Sequence, residues 1–305
     1  MTGSLSALSG VILSLLLAPL LSGIINRVKA IVGGRQGRPL LQLYFDLDKL
    51  MRKSPVYAEC SSWVFKAAPV AGMTASLGAL LIIPYGALGS LVTFSGDFLL
   101  MAALFALSRF FLILGALDTG SPFEGMGAAR EALFSALAEP ILLFTLMTLG
   151  YQSGQFSLSH MLGGISEQTW AANWPYFTMQ ACAFFLLLLP ENCRIPVDDP
   201  NTHLELTMIH EVMILDHSGP DLALLEYASA VKLWIFALLI ANVIAPVSGL
   251  EPLPGLALLV ALVAAVAVLV GLVESMMARF RMERVPQILT LAGSFACLAA
   301  LTLWR

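Results

Sequence analysis

Charge is scarce in this sequence. Asp, Glu, Lys and Arg together make up 12% of its 305 residues, against 58% apolar residues. Cysteine is scarce too: Cys60, Cys182, Cys193 and Cys297 are the only four, and no two have C-x-x-C spacing. That spacing excludes an iron–sulfur site or a disulfide framework carried by this chain. No G-x-x-x-x-G-K-[ST] loop occurs. The nearest tract, Gly33-Gly34-Arg35-Gln36-Gly37-Arg38, lacks the lysine and the hydroxyl that would hold a nucleotide phosphate, and it reads as a basic juxtamembrane loop. There is no internal repeat, low-complexity tail or soluble domain, so residues 1–305 form one membrane domain. With a net charge of −4, no nucleic-acid partner is expected.

What is present is apolar length. Runs near 20 residues cover about 5–25, 64–85, 98–117, 132–150, 175–190, 228–247, 254–274 and 286–304. A helix of that length crosses a hydrocarbon core roughly 30 Å thick. One such run is compatible with the core of a soluble protein; eight together predict an all-α polytopic membrane protein with about eight transmembrane helices. The connections at about 26–63, 118–131, 191–227 and 275–285 carry Lys or Arg, seven of them in the first, while 86–97, 151–174 and 248–253 carry none. This alternation predicts the basic connections inside and both termini outside. The positive charges follow the first span and none precedes it, so that span is expected to stay as an anchor.

Within this apolar chain, charge collects in one place. From Glu191 to Glu226 lie eight of the 20 carboxylates and three of the four histidines, with Arg194 the only base. Arg109, Glu139 and Lys232 fall inside or near the ends of spans. Each would cost about 2.5–3.5 kcal/mol near a bilayer centre and is expected to face the bundle interior or a wet cavity. Snorkelling or a single internal ion pair would also satisfy Arg109 and Lys232. Glu139 precedes Pro140, which lacks the helix-forming N–H and can open the backbone beside the acid. Arg130 and Glu139 bracket a little over two helical turns and are read as lining one polar track.

Asp118 to Phe123 reads as a turn, with a new helix starting near Gly127. Past Asp199, an acceptable N-cap ahead of Pro200, a helix is expected with His203, Thr207, His210 and His217 on one face. Histidines seven residues apart on a helix stand about 10.5 Å from each other, too far to share one metal ion. A partner-facing or proton-accessible stripe is preferred, and no metal site is expected.

Several motifs, in order, resemble a known family. Glu191-x-x-Arg194-x-Pro196-x-Asp198, Glu205-Leu206, and Glu226-Tyr227 ahead of Lys232 resemble the membrane subunit at the heel of respiratory complex I. Arg109-Phe110-Phe111, Leu117-Asp118-Thr119-Gly120-Ser121-Pro122-Phe123, Gly127-Ala128-x-Arg130-Glu131 and Glu139-Pro140 resemble more closely its counterpart in formate hydrogenlyase and other energy-converting [NiFe] hydrogenases. Gly37-Arg38-Pro39 with Gln42, Asp46 and Lys49-Leu50 is similar to that family's basic first loop and amphipathic segment.

The resemblance implies a prokaryotic plasma-membrane subunit with eight transmembrane helices. Its partners would be hydrogenase-like large and small subunits, an iron–sulfur subunit and antiporter-like membrane subunits, embedded in lipid. It implies no cofactor in this chain, with the [NiFe] centre and iron–sulfur clusters in the partners. By motif position, Glu191, Arg194, Asp198 and Glu205 fall in the family's acidic loop, and Arg130 and Glu139 on the path to its central hydrophilic axis. The match departs from complex I at Asp199, Asn201 and His203, and carries about a dozen extra residues between Glu205 and Glu226, which weighs against a quinone site. The function implied is a non-catalytic coupling and anchoring subunit of an oxidoreductase complex, linking electron transfer to H⁺ or Na⁺ movement. The alternatives are a quinone-site subunit of a complex I-type enzyme, a stand-alone ion transporter and a purely structural anchor.

Overall fold

A computed structural model describes residues 2–198 and 208–303. Among these the chain is helical, with no strand. The helices are α1 (Thr2–Val32), α2 (Gln42–Met51), α3 (Trp63–Ile82), α4 (Asp97–Asp118), α5 (Pro122–Ser153), α6 (Leu158–Gly163), α7 (Glu167–Ala172), α8 (Trp174–Glu191), α9 (His210–Met213), α10 (Gly219–Ile244), α11 (Pro252–Met276) and α12 (Val285–Leu303). Each of the eight apolar runs lies mainly on one helix. Among the described residues, seven helices are long and apolar enough to cross a membrane. The remaining one, α8, has 18 residues and carries Trp174, Pro175, Gln180 and Glu191 among its apolar side chains, which dilutes its apolar character. The expectation of a polytopic helical membrane protein is borne out.

Helix starts follow local chemistry. Proline stands in the first turn of α5, α8, α10 and α11, where its missing N–H costs nothing. The helix expected to begin near Gly127 therefore starts at Pro122. At Pro140 the helix continues without a break in its course, although proline brings no N–H to the carbonyl of Ala136 one turn earlier.

At the centre stands α10, which packs against α1, α3, α8 and α11. Its second half, from Leu233 to Val243, is buried on every side and apolar except for Asn242. The outer helices turn Leu107, Phe110, Leu133, Leu269 and Leu298 outward, as a lipid-facing surface requires. The short helix α2 lies along α1 and α10 and leaves Phe45 and Met51 exposed. Its approach depends on Gly23, where a Cβ would meet the Leu40 carbonyl oxygen at 2.0 Å.

Contacts between connections show which lie together. At one end, the Ser62 N–H donates to Asp118 Oδ2 at 2.6 Å, and the Val56 N–H to Ser218 Oγ at 2.9 Å. There too, the Asp216 N–H reaches Glu124 Oε1 at 3.3 Å, and the Phe280 N–H reaches the Pro196 carbonyl at 2.9 Å. All four base-bearing connections thus meet at one end of the bundle. At the other end, Ser157 Oγ and the Leu158 N–H both donate to the buried Asp97 at 2.7 Å, and Trp170 Nε1 donates to Val243 O at 3.2 Å. The connections without Lys or Arg are gathered there.

Candidate functional site

Near the basic end, side chains from four helices converge in one ion-pair network. Arg109 of α4 directs Nη1 to Glu139 of α5 at 2.5 Å and Nη2 to Glu191 at the end of α8, also at 2.5 Å. Its Nε stands 3.0 Å from Glu131 Oε1, close enough for ion pairing although the N–H is not aligned on the oxygen. Lys232 of α10 reaches the same Glu191 oxygen at 2.8 Å and stands over the Phe105 ring. Two cations thus face three carboxylates. The Glu191 and Arg109 side chains are 1% and 6% exposed, whereas Glu139 is 40% exposed on the lateral side of α5. A buried charge is tolerated only when it is paired, and this network pairs every member.

The structure therefore brings together Arg109, Glu139, Glu191 and Lys232, and adds Glu131. It does not bring Arg130 to Glu139. Nine residues are two and a half turns, which sets the two on opposite sides of α5. The Arg130 guanidinium instead donates to the Met208 carbonyl at 3.0 Å. Glu131 is eight residues before Glu139 and shares its face.

A second layer lies closer to the end of the bundle. Asp198, 1% exposed, accepts the N–H groups of Ile209 and His210, both at 3.1 Å, and Arg279 Nη2 at 2.6 Å. Arg194 pairs loosely with Glu274 of α11 at 3.7 Å, and Lys29 of α1 closes on the same carboxylate at 2.9 Å. Glu226, half-buried, lines an outer cleft of about 520 Å³ together with Arg38, Lys53, Arg194, His210 and His217. Asp199, His203 and Glu205 lie outside the described residues. Among the described residues, the helix expected past Asp199 is confined to α9. Asp198 caps it from before, and the chain leaves it at Ile214. His210 and His217 therefore do not share one helical face. Among the described residues, no cluster of His, Cys, Asp and Glu has the makings of a metal site.

His217 stacks on Phe65 with ring centroids 3.9 Å apart, and neither ring nitrogen has a hydrogen-bond partner. Burial lowers its pKa to about 4, outweighing the pull of Asp221 and Asp216. Between about pH 6.5 and this value the unfolded chain binds a proton here and the folded chain does not. The contribution is complete above about pH 6.5 and is lost as pH falls through that window, on the order of 3 kcal/mol. His217→Phe, which keeps the ring stack, is expected to flatten the acid-side fall in melting temperature of the detergent-solubilised protein. An unchanged slope would contradict this assignment.

A bundle of this kind, with a buried ion-pair network beneath a charged end layer, defines a multi-pass membrane protein. The chain belongs to the NADH dehydrogenase family, whose model matches residues 6–304. It is 31% identical over 293 residues to formate hydrogenlyase subunit 4 of Escherichia coli (strain K12), covering 94% of each chain. It is 30% identical over 302 residues to hydrogenase-4 component C of the same organism, covering 96% of this chain and 93% of that one. Its fold matches a chain in the structure of the membrane-bound sulfane sulfur reductase, an archaeal respiratory membrane complex. The TM-score there is 0.84 at 21% identity, covering 99% of both chains.

Proposed function

We propose that this chain is the anchoring and coupling subunit of a [NiFe]-hydrogenase-type, formate hydrogenlyase-like complex in a prokaryotic plasma membrane, with the basic end of the bundle in the cytoplasm. The hydrogenase-like large and small subunits and an iron–sulfur subunit would dock on that end. They would hold the [NiFe] centre and the clusters, and this chain would hold no cofactor. Antiporter-like subunits would pack laterally and move H⁺ or Na⁺.

The observation that carries this reading is the ion-pair network, closed at Glu191 and open at Glu139. A carboxylate 40% exposed on the side of a membrane helix calls for a protein neighbour, because lipid offers it no partner. A unit charge arriving about 4 Å from one of these carboxylates shifts its energy by about 4 kcal/mol at an effective dielectric near 20. That is enough to move Arg109 between its three acids. Redox events at the docked arm would reach these carboxylates through the charged end layer and be passed from Glu139 to the lateral subunits. Adjacency supports this route, and a two-state change in the network is what it requires.

Glu139→Gln in the assembled complex, placed in sealed vesicles, is expected to abolish ion uptake driven by hydrogen evolution while the complex still assembles. Unchanged uptake would remove Glu139 from the route. The size of the outer cleft favours a second reading, a quinone site. However, Arg38, Asp46, Lys49, Lys53, Arg194, Glu211 and Glu226 all line it, which suits water better than an apolar ring. Quinone-dependent activity lost on substitution of these residues would establish the second reading instead.

A further inference from the structure

Two cavities share four lining residues, all outside the ion-pair network. The outer cleft, about 520 Å³, lies between α1, α2, α9 and the first half of α10. The inner cavity, about 60 Å³, is bounded by Arg109, Glu131, Glu191 and Lys232. Asn192, Cys193, His210 and Ser229 line both, and so form the neck between them. Asparagine and serine do not titrate. Burial, with Glu131 and Asp198 nearby, pushes the Cys193 thiol well up. The imidazole is the one group of the four suited to exchange protons near neutrality.

His210 is held in place through its backbone, since its N–H and that of Ile209 share Asp198 Oδ2 at 3.1 Å. The charged groups around its ring come from every side: Glu131 on α5, Asp198 in the connection and Lys232 on α10, with Arg109 and Glu191 across the inner cavity. Burial, aided by Lys232 and opposed by Glu131 and Asp198, lowers its pKa, so the resting ring is neutral and able to accept a proton. Buried acceptors without a protein partner flank it. Asn192 Oδ1 lies at the neck and Glu191 Oε1 belongs to a residue of the inner cavity. A polar cavity of this size satisfies such atoms with water.

We propose that His210 carries protons between the outer cleft and the network of Arg109, Glu131, Glu191 and Lys232. The inference rests on the coupling reading and adds the route by which protons reach the network. A proton from cleft water binds one ring nitrogen. The proton on the other nitrogen leaves to water on the inner side and then to Glu131 or Glu191, and tautomer exchange of the neutral ring resets the residue. One proton enters, one leaves, and no other bond changes.

The test uses the whole complex in sealed vesicles, measuring proton uptake per hydrogen evolved between pH 5.5 and 8.5 with and without added imidazole. His210→Gln is expected to lower coupled uptake at least tenfold and to flatten its pH profile, with imidazole, which can enter the cleft, restoring part of it. Ser229→Leu, which fills the neck and leaves the histidine in place, is expected to lower uptake similarly without rescue. Wild-type uptake in either variant overturns the proposal, as does a His210→Gln loss that imidazole leaves untouched, or Na⁺ uptake without H⁺ uptake in the unaltered complex. If His210→Gln does not assemble, Ser229→Leu decides alone. Glu139→Gln in the same assay separates the two readings: a loss there with wild-type behaviour in both neck variants defeats only the route through His210.

Discussion

Replacing Arg109 with leucine is expected to destabilise the subunit by about 3–5 kcal/mol, the usual cost of removing one partner from a buried ion pair. The guanidinium is 6% exposed and meets three carboxylates from two other helices. Without it Glu131, Glu139 and Glu191 would face Lys232 alone, and two excess negative charges would remain inside the bundle. Arg109→Lys is expected to recover only part of the loss, because an ammonium is a point charge and cannot present a planar fork to three acids at once. Thermal unfolding in detergent, or the yield of assembled complex, reads both effects. A leucine variant within 1 kcal/mol of wild type would mean that the carboxylates find other partners or are protonated.

Glu191→Gln is expected to act differently, leaving assembly intact and removing function. The carboxylate oxygen shared by Arg109 at 2.5 Å and Lys232 at 2.8 Å becomes an amide of the same shape. Two cations then face Glu131 and Glu139, so charge balance improves and the bundle is preserved. What is lost is the carboxylate through which α4, α8 and α10 are joined. Coupled turnover is expected to fall at least tenfold, about 1.4 kcal/mol in the barrier, while the level of assembled complex stays near wild type. A fall in assembly that accounts for the whole loss would make Glu191 structural.

The architecture was legible in the sequence because hydropathy reports burial in lipid directly. Each of the eight apolar runs lies mainly on one helix, and the basic connections do meet at one end. Boundaries were less legible: hydropathy stops at the first charge, but backbone hydrogen bonding does not. Hence α1 runs on through Lys29 to Val32, and α5 begins at Pro122, ten residues before the apolar run. In the site, Arg109, Glu139 and Lys232 stand out by their cost in an apolar setting and Glu191 by its place at the head of the acidic connection, and all four meet. Glu131 carries the same signal in the motif that also holds Arg130, and at eight residues from Glu139 rather than nine it is the one on the Glu139 face of α5.

Glu274 ends the most apolar run of the chain and shows its purpose only when Lys29, 245 positions away, closes on it at 2.9 Å. Asp97 is similar: a lone acid beside a span, whose partners Ser157 and Leu158 come from another connection. Long-range pairing of this kind leaves no local pattern to read. The histidine stripe failed for a different reason. Spacing assumes a continuous helix, and Asp198 instead starts a short separate one at His210.

The number of ions moved per electron bears most directly on the claim that this ion-pair network couples redox chemistry to transport. It can be measured in sealed vesicles holding the whole complex, wild type beside Glu191→Gln, with electron flow followed separately in permeabilised vesicles. A fixed, non-zero ratio is expected in wild type and a ratio near zero in the variant, with electron flow persisting once the membrane is permeabilised. An unchanged ratio in Glu191→Gln would contradict that claim.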